Sequence, residues 1–390
     1  MKVNVEKLYE SVKKSGITLL AGRQGLNRTV RWVHITESEE ICSFLKGEEV
    51  VLITGVALSE VNELIALVKS AIRCGTSGII INIGPYIKEI DPRIIELCEQ
   101  RQVPLFSVPW KVYIAEIIQK FCLIITLEDK KEVELSAAIK NAILFPGQSE
   151  LYEPYLKNYG IGINNEYTVM VITLENDNKE KLDINIKMLI KQIEAYSYNM
   201  NWSSFTIRMD NDILILFDGK FDEEKIDNCF NQLMNDCTSI KLNKYIYCGI
   251  GEKSNNIMEI YKSYNQCKNV ISIQKLHSEL IITNRYSELG IYKLLLKVSD
   301  KDIMHSFVDD NIGDVLKYDK INNSNLEEVL RVYLKNNGSV KDTADNLFIH
   351  RNTVNYKINK INKILNINLS DYESCSKVLV ALKIYDILAI

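Results

Sequence analysis

Three short apolar runs punctuate the first third of the chain: VVLITG (Val50–Gly55), GIIINIG (Gly78–Gly84) and PLFSVP (Pro104–Pro109). Each is bounded by turn residues, so each predicts a fully buried strand rather than a half-exposed one. The first two are followed by helix-period segments. Ser59 is expected to cap Glu60–Arg73, and Asp91 with Pro92 opens Arg93–Arg101 with an N-cap and a proline at the first helical position. Alternation of strand and helix predicts a small doubly wound α/β unit with parallel strands. Upstream, Leu19–Gly22 and Val30–Thr36 add strands around a Gly25-Leu26-Asn27 turn.

From Lys111 to about Leu144 the apolar period becomes helical, with Ile114, Ile117, Ile118, Phe121, Ile124 and Ile125 on one side. Leu135, Ala138, Ala142 and Phe145 continue it past a charged EDKKEVE patch, and Pro146-Gly147 ends it. Such a helix can pack on its own domain or pair with a second chain. The next stretch predicts strand Tyr167–Leu174, helix Ile184–Tyr198, strands Ser203–Met209 and Ile213–Asp218 around an Asp210-Asn211-Asp212 turn, helix Asp222–Cys237, strand Tyr245–Gly251 and helix Asn256–Gln274. Tyr286–Val298 and Lys301–Asn311 are further helices.

The densest signal lies near the C-terminus, in SVKDTADNLFIHRNTVNYKINKIN, Ser339 to Asn362. Ser339 is a good N-cap, Asp342 occupies the capping-box position, and Val340, Ala344 and Leu347 form a short apolar face. Ala344 is small where a second helix must cross, and Ile349 can plug the turn. A second helix then begins near His350 to Asn352 and runs to about Leu365, burying Val354, Ile358, Ile361 and Leu365. Its other face carries Arg351, Asn352, Asn355, Lys357, Asn359, Lys360 and Lys363, with no acidic residue. That combination predicts a helix-turn-helix on double-stranded DNA: residues at the helix start reach base edges, and lysines hold phosphates. A two-helix hairpin with a solvated basic face is the bland alternative.

Charge sharpens this expectation. The 390-residue chain has a net charge of −4, so affinity for nucleic acid must be local. Ser339 to Leu365 carries a net +3. Nine cysteines are scattered without a C-x-x-C pair, Cys229 and Cys237 being the closest, and the four histidines lie far apart. Disulfide-framework and metal-site patterns both fail on spacing, and free thiols suit a reducing compartment. Neither a G-x-G-x-x-G nor a Walker lysine motif occurs, so no cofactor cradle is expected. No leader-like segment and no apolar run of membrane-spanning length is present, which points to the cytoplasm and to no membrane partner.

IHRNTVNYKINKI, Ile349 to Ile361, closely resembles the terminal helix-turn-helix of the PucR/CdaR-type bacterial transcription regulators. LEEVLRVYLKNNGSVKDTADNL before it and LSDYESCSKVLVALKIYDIL after it fit the same module. GLNRTVRWVHITES and GEEVVLITG resemble the PucR N-terminal sensory domain, and the β-α-β-β-α-β-α order resembles that family's GGDEF-like domain. The resemblance implies a multi-domain chain: an α/β sensory domain over 1–118, a linker helix over 111–150, a degenerate, ferredoxin-like GGDEF domain over 151–285, and connector helices with an all-α helix-turn-helix domain over 286–390. Phe348 occupies a turn position where a general helix-turn-helix often has Gly, but the resembling family commonly lacks that Gly, so this departure counts little. Lys357 stands where relatives often carry Arg, which keeps the charge but loses the bidentate fork.

The function implied is a sequence-specific transcriptional regulator of a catabolic pathway (purine, amino-acid or sugar-acid), acting on an operator as a homodimer or higher homo-oligomer under a small effector. His350, Arg351, Asn352, Thr353, Asn355, Lys357 and Lys360 are the candidate DNA-binding residues. Ligands of open α/β sheets lie beyond the carboxyl ends of the strands. That marks Glu37, Ser38, Thr54, Gly55, Gly84 and Trp110 as a candidate effector rim, although turn formation alone would explain each singly. A cyclase would need acidic metal ligands beside a Gly-Gly turn. The tip here is Arg208-Met209-Asp210-Asn211-Asp212, so no catalytic or metal-binding residue is expected and Asp210 and Asp212 read as turn-formers. The competing possibilities are a nucleotide-cyclising enzyme and a protein-binding signalling module.

Overall fold

The computed structural model describes residues 3–176, 178–200, 204–219, 223–239, 246–276 and 283–389. The predicted element ends at Ser203, Asp222 and Tyr245 lie outside the described residues. Two compact units form, Met1–Ala137 and Ala138–Ile390.

In the first unit the elements run α1 (Val5–Val12), β1 (Thr18–Ala21), β2 (Trp32–Ile35), α2 (Glu39–Cys42), β3 (Glu49–Ile53), α3 (Val61–Arg73), β4 (Gly78–Ile83), α4 (Pro92–Gln100), β5 (Leu105–Pro109) and the long α5 (Ile114–Leu144), which continues past the boundary. The sheet order is β1-β5-β4-β3-β2. The last four strands are parallel, and β1 closes one edge antiparallel to β5. Strand period two divides the side chains between two cores. Val51, Ile53, Ile79, Ile81 and Leu105 face α2, α3 and α4. Val50, Leu52, Ile80, Phe106 and Val108 face α1 and the start of α5, meeting Leu8, Ile117 and Phe121. Both faces are covered, so the strands read as unbroken apolar runs. Asp91 caps α4 as expected, its carboxylate accepting from the Arg93 N–H at 2.8 Å. The cap of α3 is Glu60 rather than Ser59, because Glu60 and Glu63 form a reciprocal capping box.

The second unit continues with α6 (Glu153–Asn158), β6 (Tyr167–Leu174), α7 (Lys179–Asn199), β7 (Ser204–Met209), β8 (Asp212–Asp218), α8 (Glu223–Ser239), β9 (Ile246–Ile250) and α9 (Ile260–Leu276). The antiparallel order β7-β8-β6-β9 is that of a ferredoxin-like sheet. One face packs on α7 and α8 through Met170, Ile172, Ile213, Ile215 and Phe217. On the other, the Cys267 thiol of α9 donates to the Val169 carbonyl at 3.1 Å. The approach is close enough that a Cβ at Gly249 would sit 2.3 Å from the Cys267 carbonyl oxygen. Only glycine fits there.

The chain then forms α10 (Tyr292–Leu295), α11 (Lys301–Asn322), α12 (Leu326–Lys335), α13 (Val340–Leu347), α14 (Arg351–Leu365) and α15 (Tyr372–Leu388). The single helix expected over Tyr286–Val298 is instead two short turns, broken where Gly290 adopts φ +57°. The helix expected over Lys301–Asn311 runs on to Asn322. One core joins α11 to α15 around Val315, Val329, Leu330, Val354, Ile361 and Ala381. Among the described residues, no helix is long and apolar enough to cross a membrane.

Candidate nucleic-acid interface

The stability of α13 and α14 as a pair comes from local caps and a shared core. The Ser339 hydroxyl accepts from the Asp342 N–H at 3.3 Å, and His350 Nδ1 accepts from the Asn352 N–H at 3.2 Å. Ala344, Val354, Ile358 and Ile361 are buried between the helices and their neighbours, and Leu347 and Ile349 pack against them. The carboxylate of Asp319 in α11 takes the Leu326 and Glu327 N–H groups, at 2.9 and 2.8 Å, and so caps α12 from outside that helix.

With those positions spent on packing, the remainder of α14 faces outward. His350, Arg351, Asn352, Thr353, Asn355, Asn359 and Lys363 are exposed, and the first turn holds no acidic residue. The unsatisfied N–H groups and positive end of the helix dipole lie at the same place. Two of the seven nominated residues sit differently. Lys357 is half-buried and donates to Asn325 Oδ1. Lys360 is half-buried too, donating to the Tyr318 hydroxyl at 2.5 Å with its ammonium 4.5 Å from that ring's centroid. The bond to Tyr318 also raises the Lys360 pKa. Arg351, Asn352, Thr353 and Asn355 thus form one accessible group at the helix start, while the two lysines brace α14 on its own scaffold.

Two aromatic side chains went unassigned in the sequence. Tyr356 is exposed one turn beyond Asn352, and Phe348 is exposed in the α13–α14 turn. Helical spacing alone places Tyr356 on the face of Asn352, Asn359 and Lys363.

A second cluster sits at the carboxyl end of the parallel sheet. Glu37 Oε1 accepts from the Thr54 N–H at 2.9 Å and the Thr54 hydroxyl at 2.5 Å, while Oε2 accepts from the Gly55 N–H at 2.9 Å. Gly84 lies under Trp110, where a Cβ would approach the indole to 2.5 Å, and Trp110 meets Tyr86 edge-on at 5.6 Å. Gly55 in turn lies beneath Ile87 and Tyr86. The nominated rim residues Glu37, Thr54, Gly55, Gly84 and Trp110 are thereby brought onto adjacent loops. Ser38 stands at the start of α2. Two buried polar atoms at this end, Thr36 Oγ1 and Asn82 Oδ1, have no hydrogen-bond partner.

At the tip of the β7–β8 hairpin, Asp210 adopts φ +53° and makes the turn as expected. Asp212 does not. It pairs with Met209 inside the sheet, is buried, and its carboxylate accepts from the Thr173 hydroxyl at 2.5 Å and the Lys268 ammonium at 2.7 Å. A carboxylate held by an ammonium is a poor metal ligand. Among the described residues no group of three or more His, Cys, Asp or Glu is placed to hold a metal ion.

Three family models match the chain: the purine catabolism regulatory protein-like family over residues 7–125, the GGDEF-like domain over 148–273 and the PucR C-terminal helix-turn-helix domain over 326–384. The chain thus carries, in this order, regions similar to a PucR-like N-terminal domain, a GGDEF-like domain and a PucR-type helix-turn-helix. Its similar proteins include three from Bacillus subtilis (strain 168). The proline-responsive transcriptional activator PutR is 25% identical over 64% of this chain and 61% of its own length. The DNA-binding transcriptional activator AdeR is 23% identical over 54% of this chain and 50% of its own. The purine catabolism regulatory protein is 26% identical over 31% of this chain and 23% of its own. The chain therefore spans less than two thirds of the length of the relatives it matches. The helix-turn-helix match encloses all of α12, α13 and α14.

Proposed function

We propose that this chain is a transcriptional activator of a catabolic operon that reads duplex DNA through α14 and takes a small metabolite at its N-terminal unit. The observation that carries the proposal is the exposed, acid-free start of α14, seated on a core that leaves Arg351, Asn352, Thr353 and Asn355 nothing in the fold to do. Arg and Asn are the side chains whose paired donors and acceptors match guanine and adenine edges. Asn352 and Asn355 would read bases with Arg351, while Thr353 and the exposed backbone amides would hold phosphate. His350, whose Nδ1 is engaged in capping, keeps Nε2 for a phosphate oxygen. Lys357 and Lys360 would contribute charge at a distance.

The names of PutR and AdeR favour activation over repression, and the proline response of PutR makes amino acids the first effector class to try. The aromatic pair Tyr86–Trp110 and the unpartnered Thr36 and Asn82 atoms support the sheet's carboxyl end as the effector site. The middle domain serves assembly or transmission rather than chemistry, in keeping with the Lys268–Asp212 pair. The DNA and the metabolite both place its work in the cytoplasm.

Two measurements test this. Duplexes selected from a random pool by the full chain should outcompete unselected duplex at matched salt, and equal affinities would end the operator model. A panel of amino acids, purines and sugar acids should contain a compound that raises the melting temperature, since a ligand of the folded state stabilises it.

A further inference from the structure

The α13–α14 turn carries Phe348. Phe348 is 95% exposed, more than any other large apolar or aromatic side chain among the described residues. Its backbone is left-handed, with φ +54° and ψ +39°. The other non-glycine residues with positive φ among the described residues are Glu48, Gln102, Asp210, Asn323, Asn337 and Asn366, all of them polar. A bulky apolar residue in this conformation is strained, and such strain collects at functional sites. Leu347 and Ile349 on either side pack into the core. The Phe348 N–H is satisfied by the Ala344 and Asp345 carbonyls. The turn is therefore fixed by its neighbours, and the ring is carried outward two residues ahead of the His350 cap. Nothing in folding asks for it.

We infer that Phe348 is a DNA-contacting residue whose ring packs on the apolar wall of the major groove as α14 enters. This rests on the DNA-binding proposal above and adds an apolar contact at the entry of α14, where the exposed side chains Arg351, Asn352 and Thr353 are polar or charged. The apolar surfaces a duplex presents there are the thymine C5 methyl and the deoxyribose edge, and the methyl alone carries sequence information.

The test uses the full chain and duplexes recovered from a random pool by the wild type. Phe348→Gly relieves the left-handed strain, so it should melt no lower than the wild type while binding the selected duplex roughly fivefold more weakly, the scale of one lost apolar contact. The slope of log affinity against log salt should not change, because no phosphate contact is removed. Replacing dT by dU removes only the methyl. A matching loss in the wild type and none in Phe348→Gly assigns the methyl; a weaker Phe348→Gly with no uracil effect assigns the deoxyribose wall. Unchanged affinity of a folded Phe348→Gly overturns the inference and leaves the DNA-binding proposal standing, the ring then being free for a protein partner. A wild type that recovers no duplex overturns both.

Discussion

Asn352 occupies the second position of α14, with its N–H already taken by His350 and its side chain open to solvent. Truncating it disturbs no packed contact. Asn352→Ala should keep the wild-type melting curve yet lose discrimination between selected and unselected duplex, by about 1–3 kcal/mol for a lost bidentate base contact. Fluorescence anisotropy against both duplexes checks it. Asp91 offers a test of a different kind. Its half-buried carboxylate accepts from the Arg93 side chain and N–H, which lowers its pKa from the ordinary 3.8 to about 2. A depressed carboxylate pKa means the contribution to stability is complete above the ordinary value and vanishes as pH falls through the folded one. Amide exchange in α4 should therefore differ between wild type and Asp91→Asn above pH 3.8 and converge as the pH approaches 2.

Elements in the C-terminal half are tied together by one buried ion pair. Arg331 of α12 donates to Asp386 of α15 at 2.7 Å, and the Tyr292 hydroxyl of α10 donates to the same carboxylate at 2.9 Å. Burial is the largest single influence on the Arg331 cation and opposes it, but Asp386 and Glu327 together outweigh it and leave the guanidinium pKa raised; burial first and then Asp386 push the Tyr292 phenol up. Asp386→Ala would leave the partly buried guanidinium with Glu327 as its remaining acidic partner and the Tyr292 hydroxyl without this acceptor, and should cost roughly 1–3 kcal/mol in urea unfolding, whereas Arg331→Met with Asp386→Leu should recover much of it. Tyr292 makes this triad a link between α10 and the helices of the helix-turn-helix match. Such links were invisible in the sequence. Ser339, Asp91 and Val354 announce themselves because a cap or an apolar period is written within a few residues. The Asp319 cap on α12, the Lys360–Tyr318 bond and the Glu37 bridge to Thr54 join separate elements, which no local pattern encodes. Ser59 misled because the capping box of Glu60 and Glu63 competes for the same helix start, and Gly290 ended a helix that its apolar neighbours promised.

Under the proposed function the whole molecule would have to find an operator with recognition helices that each cover only a few base pairs. Specific affinity would then need two half-sites and hence two chains. Inserting about five base pairs between the half-sites of a selected duplex would turn one of them to the opposite face and should abolish the tight complex, and about ten should restore it. Sedimentation with each duplex checks this, and a single chain bound irrespective of spacing would count against paired recognition. The order of α/β, ferredoxin-like and helical regions and the outward face of α14 were legible from periodicity and motif alone. The bonds of Lys357 to Asn325 and of Lys360 to Tyr318 were not, since charge in a sequence does not say which way an ammonium is turned.

The net charge of −4 with a cationic patch around Arg351 and Lys363 has a practical side. Such a molecule should be retained by resins of either sign, its bulk on an anion exchanger and its tail on heparin. The chromosome is a heparin of enormous capacity, so most copies in a cell would rest on irrelevant sequence. An effector of the proposed kind would then redistribute bound molecules rather than recruit free ones.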